Sequence, residues 1–525
     1  MKLTGNLLIG AQEIRATAGT MRALNPATNL RFEPDFAFGG IEEVDRAAQL
    51  ADEAYDSYND TSLVVRAAFL ERVADGLDAN APALAQRAAL ETGLPAAQLE
   101  AEAAKAAIQF RQFATVVRQG RFRQATIDPA QPECLPRPRM DHRMQKIGLG
   151  PIAIFGASNF PISYSVAGGD TASALAAGCP VILKAHNAHP GASEIMGRVI
   201  QQAVKDSGLH EGVFSLVRGD GNAIGEALVD HPLVKGVTFT GSEAGGMALF
   251  RRAQQRPDPI PVFTEMTSVN PTFVLPNALV SRDSEIGDGF AERMLVNVGQ
   301  ACLKPAILLA IDGVGYSELK EALIARINAM PARTMLTPGI NMAYHKNVAR
   351  QLAAGAEEIA AGGRPQSEWD GQSFLFEVDG SRLLEEPALL EEVFGPAALL
   401  VRVRDDEQLI ALARQFRGQL SATMHIERAD HALAARLLPV LQRRTGRIVI
   451  NAFAHPQEVS YASIHGGPFP ASSDSRFTSV GMSAIERFLR PVCYQGFPDE
   501  LLPEALRHDN PRGLWRLVDG EPSKA

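Results

Sequence analysis

The amino-acid sequence predicts an α/β protein of two or three domains. Apolar strand-like runs alternate with helical stretches from residue 151 to residue 265, a pattern typical of βαβ units on a parallel sheet. A second α/β region follows over about residues 267–455. The chain has 525 residues, which is more than a single domain usually holds.

Composition and charge exclude several classes of partner. The chain is 46% hydrophobic and 21% charged, as is ordinary for a globular protein. Its net charge of −9 argues against nucleic acid, because such binders present a basic face. No apolar run reaches the roughly 18 residues of a membrane span, so we expect no membrane partner. The N-terminus lacks the apolar core of a signal peptide, and four scattered cysteines fit neither disulfide nor zinc spacing. We therefore expect a cytoplasmic protein with no metal site.

The first predicted elements are helices. Residues 40–120 are rich in Ala and Glu and show helical periodicity. One of these helices should run from Pro95, which suits a first helical turn, to about Val117. The run over residues 126–142 breaks the pattern, because its four prolines between residues 128 and 138 cannot lie inside a helix. This run is expected to be a linker or a projecting arm.

The alternating region follows in regular order. Strands are expected over residues 151–155, 180–184, 213–217, 236–240 and 261–265. Helices are expected over residues 162–177 and 192–207, and then up to Asp230 and up to about Gln254. In an open α/β sheet the carboxyl ends of the strands face the ligand crevice. Polar residues that directly follow these strands are therefore candidates for a site.

Three residues could carry chemistry. Cys302 follows Gly299 and Gln300 and offers a thiol nucleophile. Glu265 ends a predicted strand and offers a general base, and Asn159 follows another strand and could donate to an oxyanion. Each has an ordinary alternative: an inert buried cysteine, a surface glutamate and a helix-capping asparagine. Together they supply the groups needed to attack an aldehyde and to hydrolyse a thioester.

Other residues could hold a phosphorylated ligand. The turn over residues 218–225 has the spacing GxGxxxG, which differs from the GxGxxG dinucleotide fingerprint. The turn over residues 240–246 could present backbone N–H groups to a pyrophosphate. Lys184 ends a predicted strand and could meet a ribose or phosphate. Glu392 and Phe394 lie two residues apart and would share a face in a strand.

Taken together and in their order along the chain, these residues resemble the motifs of the NAD(P)-dependent aldehyde dehydrogenase superfamily. The matching motifs are Asn159-Phe160-Pro161, Lys184, Gly241-Ser242-x-x-x-Gly246, Glu265, Gly299-Gln300-x-Cys302 and Glu392-x-Phe394-Gly395-Pro396. The resemblance implies a Rossmann-like cofactor domain over residues 1–125 and 145–266 and a catalytic domain over residues 267–480. Residues 126–144 and 481–525 would form an oligomerisation arm and C-terminal segment, which implies a homodimer or homotetramer.

The resemblance also implies a role for each site residue. Cys302 would add to the aldehyde, Asn159 would hold the oxyanion with the Cys302 N–H, and Glu265 would activate the hydrolytic water. Eight residues would contact the cofactor, namely Lys184, Asn187, Gly225, Gly241, Ser242, Gly246, Glu392 and Phe394. The usual Lys-Pro-x-Glu run is here Lys184-Ala185-His186-Asn187, so the acid that repels a 2′-phosphate is absent. The sequence thus predicts NADP as the favoured cofactor, with NAD as the alternative.

Further stretches resemble the 2,5-dioxovalerate (α-ketoglutarate semialdehyde) dehydrogenases within the superfamily. They are residues 155–161, 168–180, 465–472 and 487–492. The resemblance implies oxidation of 2,5-dioxopentanoate to 2-oxoglutarate. The alternatives are a dehydrogenase of broad specificity for fatty aldehydes or semialdehydes and a catalytically silent relative. A cysteine hydrolase is a further alternative, although the sequence marks out no single histidine as its base.

Overall fold

The structure, a computed structural model, describes residues 2–455 and 459–524. Its α-helices are α1 Ile41–Asn59, α2 Leu63–Thr92, α3 Ala96–Gln119, α4 Gly169–Ala177, α5 Pro190–Asp206, α6 Ala223–Asp230, α7 Glu243–Gln254, α8 Pro276–Met294, α9 Tyr316–Asn328, α10 Pro338–Ala353, α11 Gly380–Glu385, α12 Asp406–Gln415 and α13 His431–Gln442. Its strands are β1 Leu7–Ile9, β2 Gln12–Ile14, β3 Gly19–Asn25, β4 Leu30–Phe38, β5 Thr126–Asp128, β6 His142–Gly148, β7 Ile152–Phe155, β8 Val181–Lys184, β9 Phe214–Val217, β10 Gly236–Thr240, β11 Val262–Glu265, β12 Thr272–Val274, β13 Ile307–Ile311, β14 Arg333–Thr334, β15 Glu357–Ala361, β16 Asp370–Gly371, β17 Phe374–Asp379, β18 Ala397–Val403, β19 Gln419–His425, β20 Thr445–Ile450, β21 Leu489–Gln495, β22 Arg516–Val518 and β23 Glu521–Ser523.

The helical region predicted near the N-terminus is confirmed as α1, α2 and α3. Helices α2 and α3 pack side by side, and α3 also contacts α4. Both α2 and α3 end at a left-handed glycine, Gly93 with φ 70° and Gly120 with φ 66°, where a side chain would be strained. Among the described helices, none is long and apolar enough to cross a membrane.

One seven-stranded sheet has the order β11-β10-β7-β8-β9-β1-β2. Strands β7 to β11 run parallel, and β1 and β2 continue the sheet antiparallel. The strands predicted here are confirmed to within a residue at each end, because each is a short buried apolar run. Their carboxyl ends share one edge, where Lys184 ends β8, Thr240 ends β10 and Glu265 ends β11.

The helix predicted over residues 162–177 is wrong in its first half, because α4 begins only at Gly169. The preceding residues form turns, and their N–H groups are occupied. Glu102 Oε1 accepts from the N–H of Ile162 at 2.9 Å and from the N–H of Ser163 at 2.8 Å. A side chain at Gly168 would lie 2.9 Å from the Ser163 carbonyl oxygen, so glycine is needed for this close turn.

A second seven-stranded sheet has the order β15-β17-β18-β13-β12-β19-β20 and is parallel except for β15. The segment that holds Glu392 and Phe394 precedes β18 as a loop and is not the strand considered above. The Lys304 ammonium holds this loop against the start of β18. It donates to the carbonyl oxygens of Val393 at 2.5 Å, Gly395 at 2.8 Å and Ala397 at 3.1 Å.

A five-stranded sheet has the order β21-β6-β5-β22-β23. Strands β5 and β6 form an antiparallel hairpin, and the C-terminal strand β21 pairs antiparallel with β6. The proline-containing run lies between the two hairpin strands, and its Leu135 side chain is 88% exposed. The run is therefore the exposed connection of a hairpin, while the projecting arm and the division of the chain into domains stay predictions.

Candidate active site

The loop that carries Cys302 is held rigidly. A short 3-10 helix, Val296–Gly299, precedes it, and a Cβ at Gly299 would lie only 2.2 Å from the Gly395 carbonyl oxygen. On its other side the Cys302 carbonyl accepts a hydrogen bond of 2.8 Å from Asn270 Nδ2. The Cys302 side chain is half-buried, so its sulfur lies in a fixed position that a small molecule can reach.

Two further side chains meet the Cys302 sulfur. His465 Nε2 lies 3.4 Å from Cys302 Sγ and 2.8 Å from Glu265 Oε1. Glu265 ends β11, and its other oxygen accepts a hydrogen bond of 2.7 Å from Ser479 Oγ. The structure thus places Glu265 beside Cys302 and adds a histidine between them.

The charges at this site are those of an ion pair. Burial opposes charge on the His465 ring, but the nearby Glu265 carboxylate and Cys302 sulfur outweigh burial and raise the pKa of His465 to about 10. Burial likewise opposes ionisation of Glu265, yet the charge and hydrogen bond of His465, with Ser479, lower the pKa of that carboxyl. An imidazolium therefore lies 3.4 Å from Cys302 Sγ.

The same three side chains are of types that bind metal ions. Their ligand atoms lie within 4.8 Å of one another in the described part of the chain. The ion pair already satisfies the histidine and the carboxylate, so this geometry does not require a metal. The expectation that the protein has no metal site stays a prediction.

Asn159 lies in the loop after β7 and contacts the nucleophile loop directly. Its Nδ2 donates to the Gln300 carbonyl oxygen at 3.1 Å, two residues before Cys302. A carboxamide carries two N–H donors, and no described residue uses the second one. Asn159 can therefore donate one further hydrogen bond close to the nucleophile.

Several candidate cofactor-binding residues lie at the carboxyl edge of the first sheet. A Cβ at Gly225 would lie 3.0 Å from the Phe155 ring and 4.0 Å from Lys184 Cδ, so glycine leaves these side chains room. Asn187 Nδ2 donates to the Gly219 carbonyl oxygen at 3.0 Å, which joins the loop after β8 to the glycine turn after β9. These groups lie at one edge of the sheet, as the sequence motifs indicate.

The N-terminus of α7 continues this edge. Ser242 caps the helix by accepting from the Gly245 N–H at 3.2 Å, and both Gly241 and Ser242 are exposed. A Cβ at Gly246 would lie 2.8 Å from Met266 Sδ, so glycine allows the helix to pack close to β11. Exposed N–H groups at a helix N-terminus attract phosphate, so this edge fits a dinucleotide.

Glu392 reaches the segment that follows Glu265. Its Oε2 accepts a hydrogen bond of 2.7 Å from Thr267 Oγ1, and burial raises the pKa of the Glu392 carboxyl despite the nearby Lys304 charge. Phe394 follows two residues later in the same loop and is half-buried. The loop that carries both residues thus contacts the catalytic region.

A family comparison agrees with this geometry. The profile of the aldehyde dehydrogenase family matches residues 14–473. The chain belongs to the aldehyde dehydrogenase family. It is therefore an oxidoreductase that acts on an aldehyde with a nicotinamide cofactor.

Curated relatives of this aldehyde dehydrogenase match it over nearly the whole length. Alpha-ketoglutaric semialdehyde dehydrogenase 2 of Azospirillum brasilense is 50% identical and covers 99% of this chain and 100% of its own. Alpha-ketoglutaric semialdehyde dehydrogenase of Acinetobacter baylyi is 42% identical and covers 98% of each chain. Both similarities cover the sheets and loops that hold the site.

Solved aldehyde dehydrogenases have the same fold. Betaine aldehyde dehydrogenase of Staphylococcus aureus, in complex with NAD+, has a TM-score of 0.81 at 20% identity and covers 94% of each chain. An aldehyde dehydrogenase C variant of Pseudomonas syringae, solved with NAD+ and octanal, has a TM-score of 0.79 at 22% identity, covering 94% of this chain and 97% of that one. The α/β fold class is thereby confirmed.

The main residue that sequence reasoning missed is His465. It lies 163 positions after Cys302, and only the folded chain brings the two together. One signal was available, because the stretch over residues 465–472 resembles the semialdehyde dehydrogenases. That resemblance marked the segment without assigning a role to its first residue.

Proposed function

We propose that this dehydrogenase oxidises 2,5-dioxopentanoate to 2-oxoglutarate through a thioester on Cys302. The observation that carries the chemistry is the contact of Cys302 Sγ with the His465–Glu265 ion pair. The names of the two most similar relatives described above support the substrate. A broad specificity for fatty aldehydes is the alternative, and a silent relative is not favoured.

Acylation begins with the thiolate of Cys302. The protonated His465 holds negative charge on Sγ, and the sulfur adds to the aldehyde carbon. The free N–H of Asn159 and the backbone N–H of Cys302 would hold the oxyanion that forms. The chemistry that a bound nicotinamide supplies is acceptance of one hydride, which converts the sulfur adduct into a thioester.

Deacylation would use Glu265. Each of its oxygens already accepts one hydrogen bond, from His465 or from Ser479, and each keeps a further lone pair for a water proton. The carboxylate takes that proton while the water oxygen attacks the thioester carbonyl. The acid is released, and Cys302 leaves as a thiolate that His465 again stabilises.

The cofactor would lie along the carboxyl edge of the first sheet. Lys184, Asn187 and Gly225 would face its adenosine half, and Gly241, Ser242 and Gly246 would approach the pyrophosphate. Glu392 would bind the nicotinamide ribose, with Phe394 beside the ring. This placement uses the groups at the ends of β8 and β10 and at the start of α7.

The preference for NADP is part of the proposal. Asn187 is neutral and lies next to Lys184 and His186, so nothing in this run repels a 2′-phosphate. We expect NADP to be favoured, and an NAD preference of about tenfold, or roughly 1.4 kcal/mol, would contradict this. Asn187→Glu should shift the ratio of kcat/KM values towards NAD, whereas Asn328→Glu, at an exposed position, should leave that ratio unchanged.

A kinetic matrix tests the proposed reaction. The purified protein would be assayed with 2,5-dioxopentanoate, succinic semialdehyde and hexanal, each with NADP and with NAD. We expect the highest kcat/KM for 2,5-dioxopentanoate, whereas a higher value for hexanal would favour the fatty-aldehyde alternative. Cys302→Ala should abolish turnover while dinucleotide binding is kept.

We also propose an oligomeric state and a cellular location for this protein. The projecting hairpin β5–β6 and its partner strand β21 offer an arm for a second copy, so we propose a homodimer or homotetramer. All four cysteines are free thiols. This supports a reducing, cytoplasmic location, where such thiols persist.

A further inference from the structure

Two basic side chains near Cys302 have no carboxylate partner among the residues that the structure describes. They are Lys105 on α3 and Arg447 on β20. The lysine ion pairs of this part of the chain are made by Lys146 and Lys320, and Arg447 makes none. Burying a cation without a counter-charge costs free energy, so Lys105 and Arg447 are candidates to bind an anionic ligand.

A series of contacts leads from Lys105 to the nucleophile. Lys105 Nζ lies 5.4 Å from the centroid of the Tyr164 ring, and that ring lies 6.3 Å from the His465 ring. His465 Nε2 is in turn 3.4 Å from Cys302 Sγ. Burial lowers the pKa of Lys105, and the negative charges of Glu102 and Cys302 oppose that effect.

One oxygen of Glu102, the acid closest in sequence to Lys105, is occupied, and its Oε2 has no hydrogen-bond partner among the described residues. Glu102 Oε1 accepts from the N–H groups of Ile162 and Ser163 and from Ser163 Oγ at 3.2 Å. It forms the turn before α4 and makes no ion pair with Lys105. The Lys105 ammonium is therefore available to a ligand.

Arg447 approaches the same place from the second sheet. It lies two residues before Val449 on β20 and so on the same face, and Val449 and Cys302 both pack against one apolar cluster, which comprises Leu303, Leu420, Ala454 and Ala471. Among the residues that the structure describes, its guanidinium donates to the His455 carbonyl oxygen alone, at 3.4 Å, and its buried Nε has no partner. Burial lowers the pKa of Arg447, whereas the charges of Cys302 and Tyr164 raise it.

We propose that Lys105 and Arg447 bind the carboxylate of the substrate while its aldehyde carbon lies at Cys302. This inference deepens the proposed function and rests on it. Lys105 Nζ lies over the Tyr164 ring, and Arg447 lies on the β20 face of Val449, which packs on the same cluster as Cys302, so one carboxylate at this place can accept from the ammonium and from the guanidinium. An aldehyde with a carboxylate at its far end gains both contacts, and a neutral aldehyde gains neither. The pair would thus determine specificity.

The test removes each charge and compares two substrates of equal chain length. Wild type, Lys105→Gln, Arg447→Gln and the double variant would be assayed with 2,5-dioxopentanoate and with pentanal. Each single change should lower kcat/KM for 2,5-dioxopentanoate by about tenfold or more, mainly through KM, because a charged hydrogen bond is lost. Turnover of pentanal should change less than about threefold, and this shows that the fold is intact.

Charge-keeping variants and distant variants complete the design. Arg447→Lys and Lys105→Arg should keep most of the discrimination, and exposed Arg443→Gln and Lys346→Gln should not alter it. Equal losses for both aldehydes in the charge-removing variants, or no loss for 2,5-dioxopentanoate, would overturn the carboxylate site alone. If wild type oxidises neither aldehyde with NADP or NAD, the proposed function itself fails.

Discussion

At the scale of single residues, the His465 ring places a positive charge beside Cys302. Replacing it, in His465→Gln, removes the cation that lies 3.4 Å from the sulfur. We expect alkylation of Cys302 by iodoacetamide at pH 7 to slow by about tenfold or more, because the cation beside the reacting sulfur is lost. Peptide mass spectrometry would measure the rate. His431→Gln, at an exposed position, serves as the control and should leave the alkylation rate of Cys302 unchanged.

The same ion pair links stability to pH. The pKa of His465 is raised from 6.5 to about 10, so its contribution is full below pH 6.5 and is lost as pH rises through about 10. The pKa of Glu265 is lowered from 4.5, so its contribution is present above pH 4.5 and is lost as pH falls through the lowered value. The difference in Tm between wild type and His465→Gln should therefore be larger at pH 6 than at pH 10. An equal difference at both pH values would argue against the ion pair.

The sequence predicted some of the residues of the site and missed others. Cys302, Glu265 and Asn159 could be chosen because each follows a strand or a glycine-containing turn. His465 and Lys304 could not, since their roles depend on contacts with distant segments. His465 meets Glu265 across 200 positions, and Lys304 meets the Gly395 carbonyl across 91.

At the scale of elements, the loop over residues 296–302 must keep an unusual backbone. Asn297, Val298 and Gly299 are all left-handed, with φ 52°, 57° and 68°. Gly299→Ala would press a Cβ against the Gly395 carbonyl oxygen and move both the Cys302 loop and the Glu392 loop. We expect a loss of about 2 kcal/mol or more in the free energy of unfolding and a loss of activity of at least tenfold.

Urea unfolding and steady-state kinetics would measure these effects. Gly208→Ala is the matched control, because Gly208 also has a positive φ, 62°, but a Cβ there would meet nothing within 4 Å. It should cost only about 1 kcal/mol and leave kcat unchanged. Equal losses in the two variants would show that backbone conformation matters and the close approach to Gly395 does not.

Helices and strands were predicted well where the burial of apolar residues alone determines their bounds. The five parallel strands of the first sheet are short apolar runs, and their bounds followed from composition. The start of α4 did not, because Glu102 binds the N–H groups of Ile162 and Ser163 in place of helical carbonyl groups. The periodicity of residues 162–177 carries no information about a side chain 60 positions earlier in the chain.

At the scale of the whole molecule, the arm should join copies of the chain. Leu135 is 88% exposed at the tip of the hairpin, so Leu135→Asp cannot disturb the core of a single chain. We expect it to shift the assembly towards smaller species in mass photometry while circular dichroism stays unchanged. Val314→Asp, at a position 77% exposed outside the arm, should leave the assembly as in wild type. An unchanged assembly in both variants would place the contact elsewhere.

The site depends on the meeting of the two large sheets. Glu265 ends a strand of the first sheet, whereas Cys302 and Arg447 belong to the region of the second. The family resemblance predicted this arrangement as a whole, and the periodicity of the chain predicted each sheet separately. The relative placement of the sheets could not follow from local patterns.

The most direct measurement is the capture of the acyl group on Cys302. Glu265→Gln would be mixed with 2,5-dioxopentanoate and NADP, and its peptides would be examined by mass spectrometry. We predict a burst of reduced cofactor equal to the enzyme concentration and an added acyl mass on the peptide that contains Cys302. Reduced cofactor formed without any adduct at Cys302, or an adduct on another residue, would contradict the thioester mechanism.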